Sequence, residues 1–326
     1  MEFKPGDDAA VPCLMGPTGS GKTAVALALA RRFPIEIVSV DSALVYRGLN
    51  IGSAKPTPFE RAAVPHHLID ICDLPDHYSA ARFSEDASRV IQEIRGRDRI
   101  PLLVGGTGLY FHALEQGLAD LPASDKATRD ALRSELEQKG NEAMHAELTA
   151  VDPEAAARIH PNDPQRLLRA LEVYRLTGTA MSTLWRDNDV PGRKTTGTKT
   201  ALSKFALNTA ERSDLHANIE RRFHAMLEQG FVNEVIGLRR QPGVHAGLPA
   251  LRAVGYRAVW DFLDGRTDYA EMCERGIIAT RQLAKRQITW LRGTDGVIWC
   301  SEGPNSAFER ISRYLQQQTD FKTDSI

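Results

Sequence analysis

Gly16-Pro17-Thr18-Gly19-Ser20-Gly21-Lys22-Thr23 follows a short apolar run, Val11-Pro12-Cys13-Leu14-Met15, and precedes a strong helix former, Ala24-Val25-Ala26-Leu27-Ala28-Leu29-Ala30. The octapeptide fits G-x-x-x-x-G-K-[ST], in which small residues let backbone N–H groups curl around phosphate oxygens, the lysine adds a point charge and the hydroxyl can hold Mg²⁺. A strand before the loop and a helix after it aim the partial positive charge of the helix N-terminus at the anion. A polyphosphate cradle is the expectation. What becomes of the phosphates is not written in the loop.

Beyond the first helix, Ile35-Glu36-Ile37-Val38-Ser39-Val40 reads as a second strand that ends at Asp41-Ser42. In open α/β sheets ligands sit at the carboxyl ends of strands, which places Asp41 near the phosphate loop. Asp before Ser is also a common turn cap, and both readings stand. Residues 47–65 are rich in turn formers, and His67-Leu68-Ile69-Asp70 could be a short strand. His66-His67 lacks the i,i+4 partner of many metal sites, so neither histidine is expected to bind a metal. Ser79 opens a helix to about Arg95 with Phe83, Ala87, Val90, Ile91 and Ile94 as its apolar stripe.

Ile100-Pro101-Leu102-Leu103-Val104 is a buried-type strand followed by Gly105-Gly106-Thr107-Gly108-Leu109-Tyr110. NTP-hydrolysing phosphate-loop proteins close such a strand with Asp or Glu to organise Mg²⁺ and water. Two glycines stand there instead, which suggests a protein that grips a polyphosphate without being a hydrolytic motor. They either let backbone or substrate approach closely, with the Thr107 hydroxyl beside them, or form a tight turn.

From about 119 to 202 the pattern turns helical, with Ala127 to Leu148, a helix start at Asp152-Pro153, and Pro164 to Leu176, before a polar loop from Asp187 to Lys199. Phe205-Ala206-Leu207-Asn208-Thr209 resumes a strand-like run. The expected fold is therefore α/β, a P-loop NTPase-like parallel sheet core (1–118 and 203–326) with an inserted helical domain (119–202). In the second core segment a long helix opens at Leu215 and is punctuated at Gly230. A further helix spans Gly276 to Leu291, Gly296 to Cys300 is a last strand, and the tail from Gln316 on is expected to be disordered.

At 326 residues the chain exceeds the size at which one core keeps growing. Four cysteines, Cys13, Cys72, Cys273 and Cys300, lie far apart and suggest neither zinc knuckle nor disulfide framework. The N-terminus has no signal-peptide h-region and no apolar run approaches a membrane span, so a soluble cytoplasmic protein is expected. Formal net charge is −1, yet Arg275, Arg281, Lys285, Arg286 and Arg292 occur between Arg275 and Thr294 with no acid among them. A local basic face is what phosphate backbones respond to. Arg166 and Arg169, at i,i+3, form either a solvated face or a phosphate-gripping one.

Together with the phosphate loop, Ser39-Val40-Asp41-Ser42-Ala43-Leu44-Val45-Tyr46, Asn50 through Pro56, His66 through Asp70, Gly105 through Tyr110, Gln165 through Arg169, Gly255-Tyr256-Arg257 and Lys285 through Arg292 resemble one family, the tRNA dimethylallyltransferases of bacterial type. The resemblance runs in order from about residue 11 to residue 300. It implies transfer of a dimethylallyl group from dimethylallyl diphosphate to N6 of adenosine 37 in the anticodon stem-loop of tRNAs reading codons that start with U.

Carried onto this chain, the resemblance implies that Gly16, Pro17, Thr18, Gly19, Ser20, Gly21, Lys22 and Thr23 bind the leaving diphosphate. Mg²⁺ would lie on Thr23, Arg222 on the diphosphate, Asp41 would act as general base and Thr107 would line the channel where adenine meets donor. tRNA contacts are implied for Asp41, Ser42, Ala43, Leu44, Thr107, Arg129, Gln165, Arg166, Leu167, Leu168 and Arg169. They are implied also for Arg252, Ala253, Val254, Gly255, Tyr256 and Arg257, and for Lys285, Arg286, Gln287, Ile288, Thr289, Trp290, Leu291 and Arg292. Eukaryotic relatives often append a zinc finger, and none follows the core here; no membrane partner is expected, and a monomer is. An AMP dimethylallyltransferase would share the N-terminal motifs without needing the insertion, a small-molecule kinase would need a carboxylate where Gly105-Gly106 stands, and an RNA-binding module without catalysis would have no use for Lys22-Thr23 beside Asp41.

Overall fold

The computed structural model describes residues 9–119, 121–188, 199–209 and 211–320. Its strands are β1 (Val11–Met15), β2 (Ile35–Val40), β3 (His66–His67), β4 (Ile100–Gly105), β5 (Leu202–Leu207) and β6 (Val297–Cys300). All pair in parallel, in the order β3-β2-β4-β1-β5-β6. Strands β1 and β2 are buried at every position, as expected where helices cover both faces of a parallel sheet. Met15 and Val40 both stand opposite Gly105, so the carboxyl ends of β1, β2 and β4 finish level. The loops after them converge there.

The helices are α1 (Lys22–Ala30), α2 (Pro58–Ala63), α3 (Ala80–Arg95), α4 (Gly108–Gln116), α5 (Lys126–Val151), α6 (Pro153–Arg158), α7 (Pro164–Thr177), α8 (Met181–Asn188), α9 (Arg212–Glu228), α10 (Phe231–Arg239), α11 (Tyr256–Leu263), α12 (Tyr269–Arg292) and α13 (Pro304–Asp320). One sheet face packs on α1 and α13 through Val25, Leu29, Ile311 and Leu315. The other carries a larger core of α3, α4 and α9–α12 built on Phe83, Phe111, Phe223, Phe231 and Tyr256.

Two compact units result, Met1–Gln116 with Thr198–Ile326, and Gly117–Gly197. Within the second, Leu132, Met144, Leu148, Ala155, Leu167, Leu171 and Met181 close a core of their own. In the first, the Thr200 N–H donates to the Leu114 carbonyl at 3.0 Å and Lys204 pairs with Glu115 at 2.7 Å.

Several sequence expectations change. The strand expected at 67–70 stops at His67, because Leu68 and Asp70 adopt positive φ, 60° and 56°, which a strand cannot continue through. Gly140, at φ 79° and ψ 168°, interrupts α5. Strand β5 spans Leu202–Leu207, opening three residues ahead of the strand-like run expected from Phe205 to Thr209 and ending two residues earlier. Residues 316–320 belong to helix α13 rather than to a disordered tail, since Ala307, Ile311 and Leu315 give that helix a buried stripe. Helix α2 arises in the turn-rich segment, where Thr57 and Glu60 form a reciprocal capping box. Helix α8 covers Asp187 and Asn188 of the expected polar loop; 189–198 lie outside the described residues.

Candidate active site

Three loops build the site. In the first, Gly19 and Gly21 hold φ 81° and 92°, backbone that L side chains rarely adopt. Gly21 caps α1 with no side-chain acceptor, so amides of the first helical turn stay open to a ligand. Lys22 folds back over the loop, donating from Nζ to the Gly16 carbonyl at 2.9 Å and the Pro17 carbonyl at 2.6 Å. Burial first, and then the Arg222 guanidinium, push the Lys22 ammonium down from 10.5 to about 7, against the pull of the Asp41 carboxylate. Arg222, from α9, is itself lowered by burial while Asp41 opposes the shift. Its guanidinium has no hydrogen-bond partner among the described residues. Two cations thus crowd one another beside an open set of amides, an arrangement that an anion would relieve.

The second loop follows β2. Asp41 Oδ1 accepts from the Ala43 N–H at 2.8 Å and the Leu44 N–H at 3.3 Å, so the side chain does cap a turn. Oδ2 remains uncommitted among the described residues. The Ser42 N–H donates to Thr107 Oγ1 at 3.2 Å, and the Thr107 N–H to the Val40 carbonyl at 3.2 Å, which joins this loop to the third. There a Cβ on Gly105 would lie 2.0 Å from the Val40 carbonyl oxygen, and one on Gly106 would lie 2.2 Å from Gln287 Nε2. No carboxylate-bearing residue fits at Gly105 without the backbone moving, and one at Gly106 would displace the Gln287 amide.

A pocket bounded by these loops brings Lys22, Thr23, Asp41, Arg222, Gly105 and Gly106 together with apolar walls from Ala26, Ile37, Pro56, Ile69 and Val104. Ile37 and Ser39 alternate along β2 and, with Asp41 just past its end, line this pocket. The Ser39 hydroxyl is buried without a partner among the described residues. Lys22, Thr23 and Arg222 also line an open cleft of ≈590 Å³ with Arg31 and Asn218. The described residues contain no cluster of three His, Cys, Asp or Glu able to hold a metal. Thr23 is exposed and its hydroxyl has no partner among them, which suits a cation shared with phosphate oxygens rather than caged by protein.

A family model described as IPP transferase matches residues 44–294, and one described as isopentenyl transferase matches residues 9–70. The chain belongs to the IPP transferase family. It is 58% identical over 286 residues, 86% of either chain, to a tRNA dimethylallyltransferase of Burkholderia mallei and, at the same identity and coverage, to one of Burkholderia pseudomallei. A tRNA isopentenylpyrophosphate transferase from Bacillus halodurans superposes with a TM-score of 0.67 at 35% identity, covering 97% of this chain and 98% of that one. A eukaryotic dimethylallyltransferase captured acting on tRNA gives 0.76 at 26% identity, covering 97% and 80%.

In this IPP transferase the residues that the sequence assigns to tRNA separate by burial. Lys285, Arg286, Thr289 and Arg292 are exposed on one side of α12, while Leu291 is buried and Gln287, Ile288 and Trp290 turn inward. Arg252 and Arg257 are exposed, and Ala253 and Val254 half-buried. Tyr256 is fully buried, donating its hydroxyl to Glu234 Oε1 at 2.7 Å, and Gly255 is buried beside it, so neither offers a side chain to RNA. Within the second unit Gln165 and Arg166 are exposed and Leu167 lies in the core with Leu168 against it. Arg129 and Arg169 are not a bare phosphate grip: both pair with the buried Glu172, at 3.2 and 2.9 Å, and Arg169 also donates to the Pro122 carbonyl.

Sequence reasoning missed Glu172, and it missed Glu234, whose carboxylate accepts from the N–H groups of Asn50, Ile51 and Gly52. Apart from the i,i+3 pair of Glu172 with Arg169, neither has a local signal: Glu172 meets Ser124, Asp125 and Arg129 more than 40 residues away, and Glu234 meets Tyr256 22 residues away and Asn50, Ile51 and Gly52 more than 180 residues away.

Proposed function

We propose that the protein transfers a dimethylallyl group from dimethylallyl diphosphate to N6 of adenosine 37, beside the 3′ end of the anticodon, in tRNAs that read codons beginning with U. The observation that carries this reading is the pocket in which Lys22 and Arg222, neither ion-paired among the described residues, a turn-held carboxylate and an apolar wall face one another. A diphosphate suits the cations, a five-carbon allyl group suits the apolar wall, and an amine that must lose a proton suits Asp41.

Loop amides, Lys22 and Arg222 bind the diphosphate and stabilise the charge it gains as the C1–O bond breaks and the electron pair leaves with oxygen. Thr23 would hold Mg²⁺, which when bound neutralises charge on the diphosphate oxygens. The adenine, flipped from the anticodon stack, brings N6 to C1; the N–C bond forms, and the N6 proton passes to Asp41 Oδ2. Thr107, hydrogen-bonded to the Asp41 turn, orients the carboxylate loop against the β4 loop. Exposed Lys285, Arg286 and Arg292 on α12 hold RNA phosphates, with selectivity read from splayed single-stranded bases.

Gly105 weighs against a kinase, because the Val40 backbone leaves no room there for the acid a kinase needs. The deciding experiment mixes purified protein, radiolabelled dimethylallyl diphosphate, Mg²⁺ and either unmodified tRNA or AMP. Label appearing on tRNA alone supports the reading, and label on AMP alone replaces it. A monomer in the cytoplasm completes the proposal, to be checked by sedimentation and fractionation; among the described residues no helix is long and apolar enough to cross a membrane.

A further inference from the structure

Gln287 sits on the same helix as the exposed Lys285, Arg286 and Arg292, yet its side chain points the other way. Its Oε1 accepts the Thr18 N–H of the phosphate loop at 2.8 Å, and its Nε2 donates to the Gly106 carbonyl at 3.1 Å. One planar amide therefore joins the ends of β1 and β4 to α12. The fit is close: a Cβ on Gly106 would meet Gln287 Nε2 at 2.2 Å, and one on Gly108 would meet the Trp290 ring at 2.3 Å. Gln287 also lines the pocket with Lys22, Asp41 and Arg222. At neutral pH an amide is the one side chain of that length that offers an acceptor and a donor on a single carbon without charge. A carboxylate would face the Gly106 carbonyl with lone pairs on both sides, and a methionine would leave the Thr18 N–H and the Gly106 carbonyl unsatisfied.

We propose that Gln287 is a positioning residue for the transfer reaction: it fixes the phosphate loop against the β4 loop, and ties both to the helix whose outer face carries the basic residues. It touches no reacting atom. Its loss moves the loops relative to Asp41 and relaxes the geometry in which N6, C1 and the departing diphosphate are aligned, a misplacement that costs about 100-fold when it reaches 1 Å. The inference rests on the transfer reading above.

The test compares wild type with Gln287→Met and Gln287→Glu, using an unmodified tRNA anticodon stem-loop and dimethylallyl diphosphate. Wild type is assayed first, so that absence of any transfer condemns the proposed function rather than the role of Gln287. Gln287→Met is expected to lower kcat by about 10- to 100-fold and raise KM for dimethylallyl diphosphate, with RNA affinity unchanged. Gln287→Glu is expected to be as impaired at pH 8 but to regain activity relative to wild type as pH falls toward 5.5. There the protonated carboxyl supplies both an acceptor and an O–H donor, reproducing the amide, whereas Gln287→Met gains nothing. Wild-type kinetics in both variants, or a defect confined to KM for RNA, overturns the proposal. So does a Gln287→Glu defect that follows the Gln287→Met profile at every pH, which would mark a packing role. Thermal midpoints measured across the same pH range identify any loss that is only unfolding.

Discussion

At Asp41 one carboxylate oxygen is engaged by two backbone amides while the other has no partner among the described residues. The turn-capping and catalytic readings of that residue, which its sequence context could not separate, are thus compatible. Asp41→Asn keeps the Oδ1 acceptor and with it the turn, but replaces the basic oxygen with an NH₂ group. Single-turnover transfer should fall by roughly 10²–10⁴ with RNA affinity intact, and an unchanged rate would remove Asp41 as the base. Lys22 yields a pH prediction. Its folded value near 7 lies below the free value of 10.5, so the unfolded chain binds more protons between the two. The cost of holding the ammonium in the fold is fully present below pH 7 and is relieved as pH rises toward 10.5. Diphosphate binding reverses the depression, so at pH 8 the wild type should take up about one more proton per ligand than Lys22→Met. Calorimetry in buffers of different ionisation enthalpy reads that difference, and equal uptake by both proteins would show that Lys22 is already charged without ligand.

Elements were legible where a local rule governs them. The strand-loop-helix around Gly16 to Thr23 and the apolar stripe of α3 follow from period and capping, Ser79 accepting from the Arg82 N–H at the helix start. Helix α13 and the two-residue β3 were not, because a buried stripe of three residues near a polar terminus, and positive φ at non-glycine Leu68 and Asp70, are decided by tertiary packing. The contiguous tRNA segments that family likeness supplies mix faces of a helix: Lys285 and Gln287 are two residues apart and point to opposite sides. Periodicity could have separated them had the phase of α12 been known. Glycines at the end of β4 could be read either as a turn or as close approach, and the distances decide for the latter. Gly105→Ala should lower stability by about 1–3 kcal/mol, seen as a reduced denaturant midpoint, because backbone rather than a pliant side chain stands in the way of the new methyl. A midpoint equal to wild type would mean β2 and β4 can part without penalty.

Across the whole molecule the charge balance conceals the property that matters for RNA. A net charge of −1 coexists with an acid-free stretch that puts Lys285, Arg286 and Arg292 on exposed positions of α12. Replacing all three with alanine should flatten the dependence of log affinity on log salt for the anticodon stem-loop by roughly 2. An unaltered slope would assign them to solvation. Where the chain departs for its helical unit and where it comes back, residues 114 and 200 meet through a backbone hydrogen bond, with the Lys204–Glu115 pair beside it. That closure makes the sheet's completion independent of what is threaded between its two ends. A lineage could lengthen, trim or exchange the intervening helices without rebuilding the sheet that carries the phosphate loop.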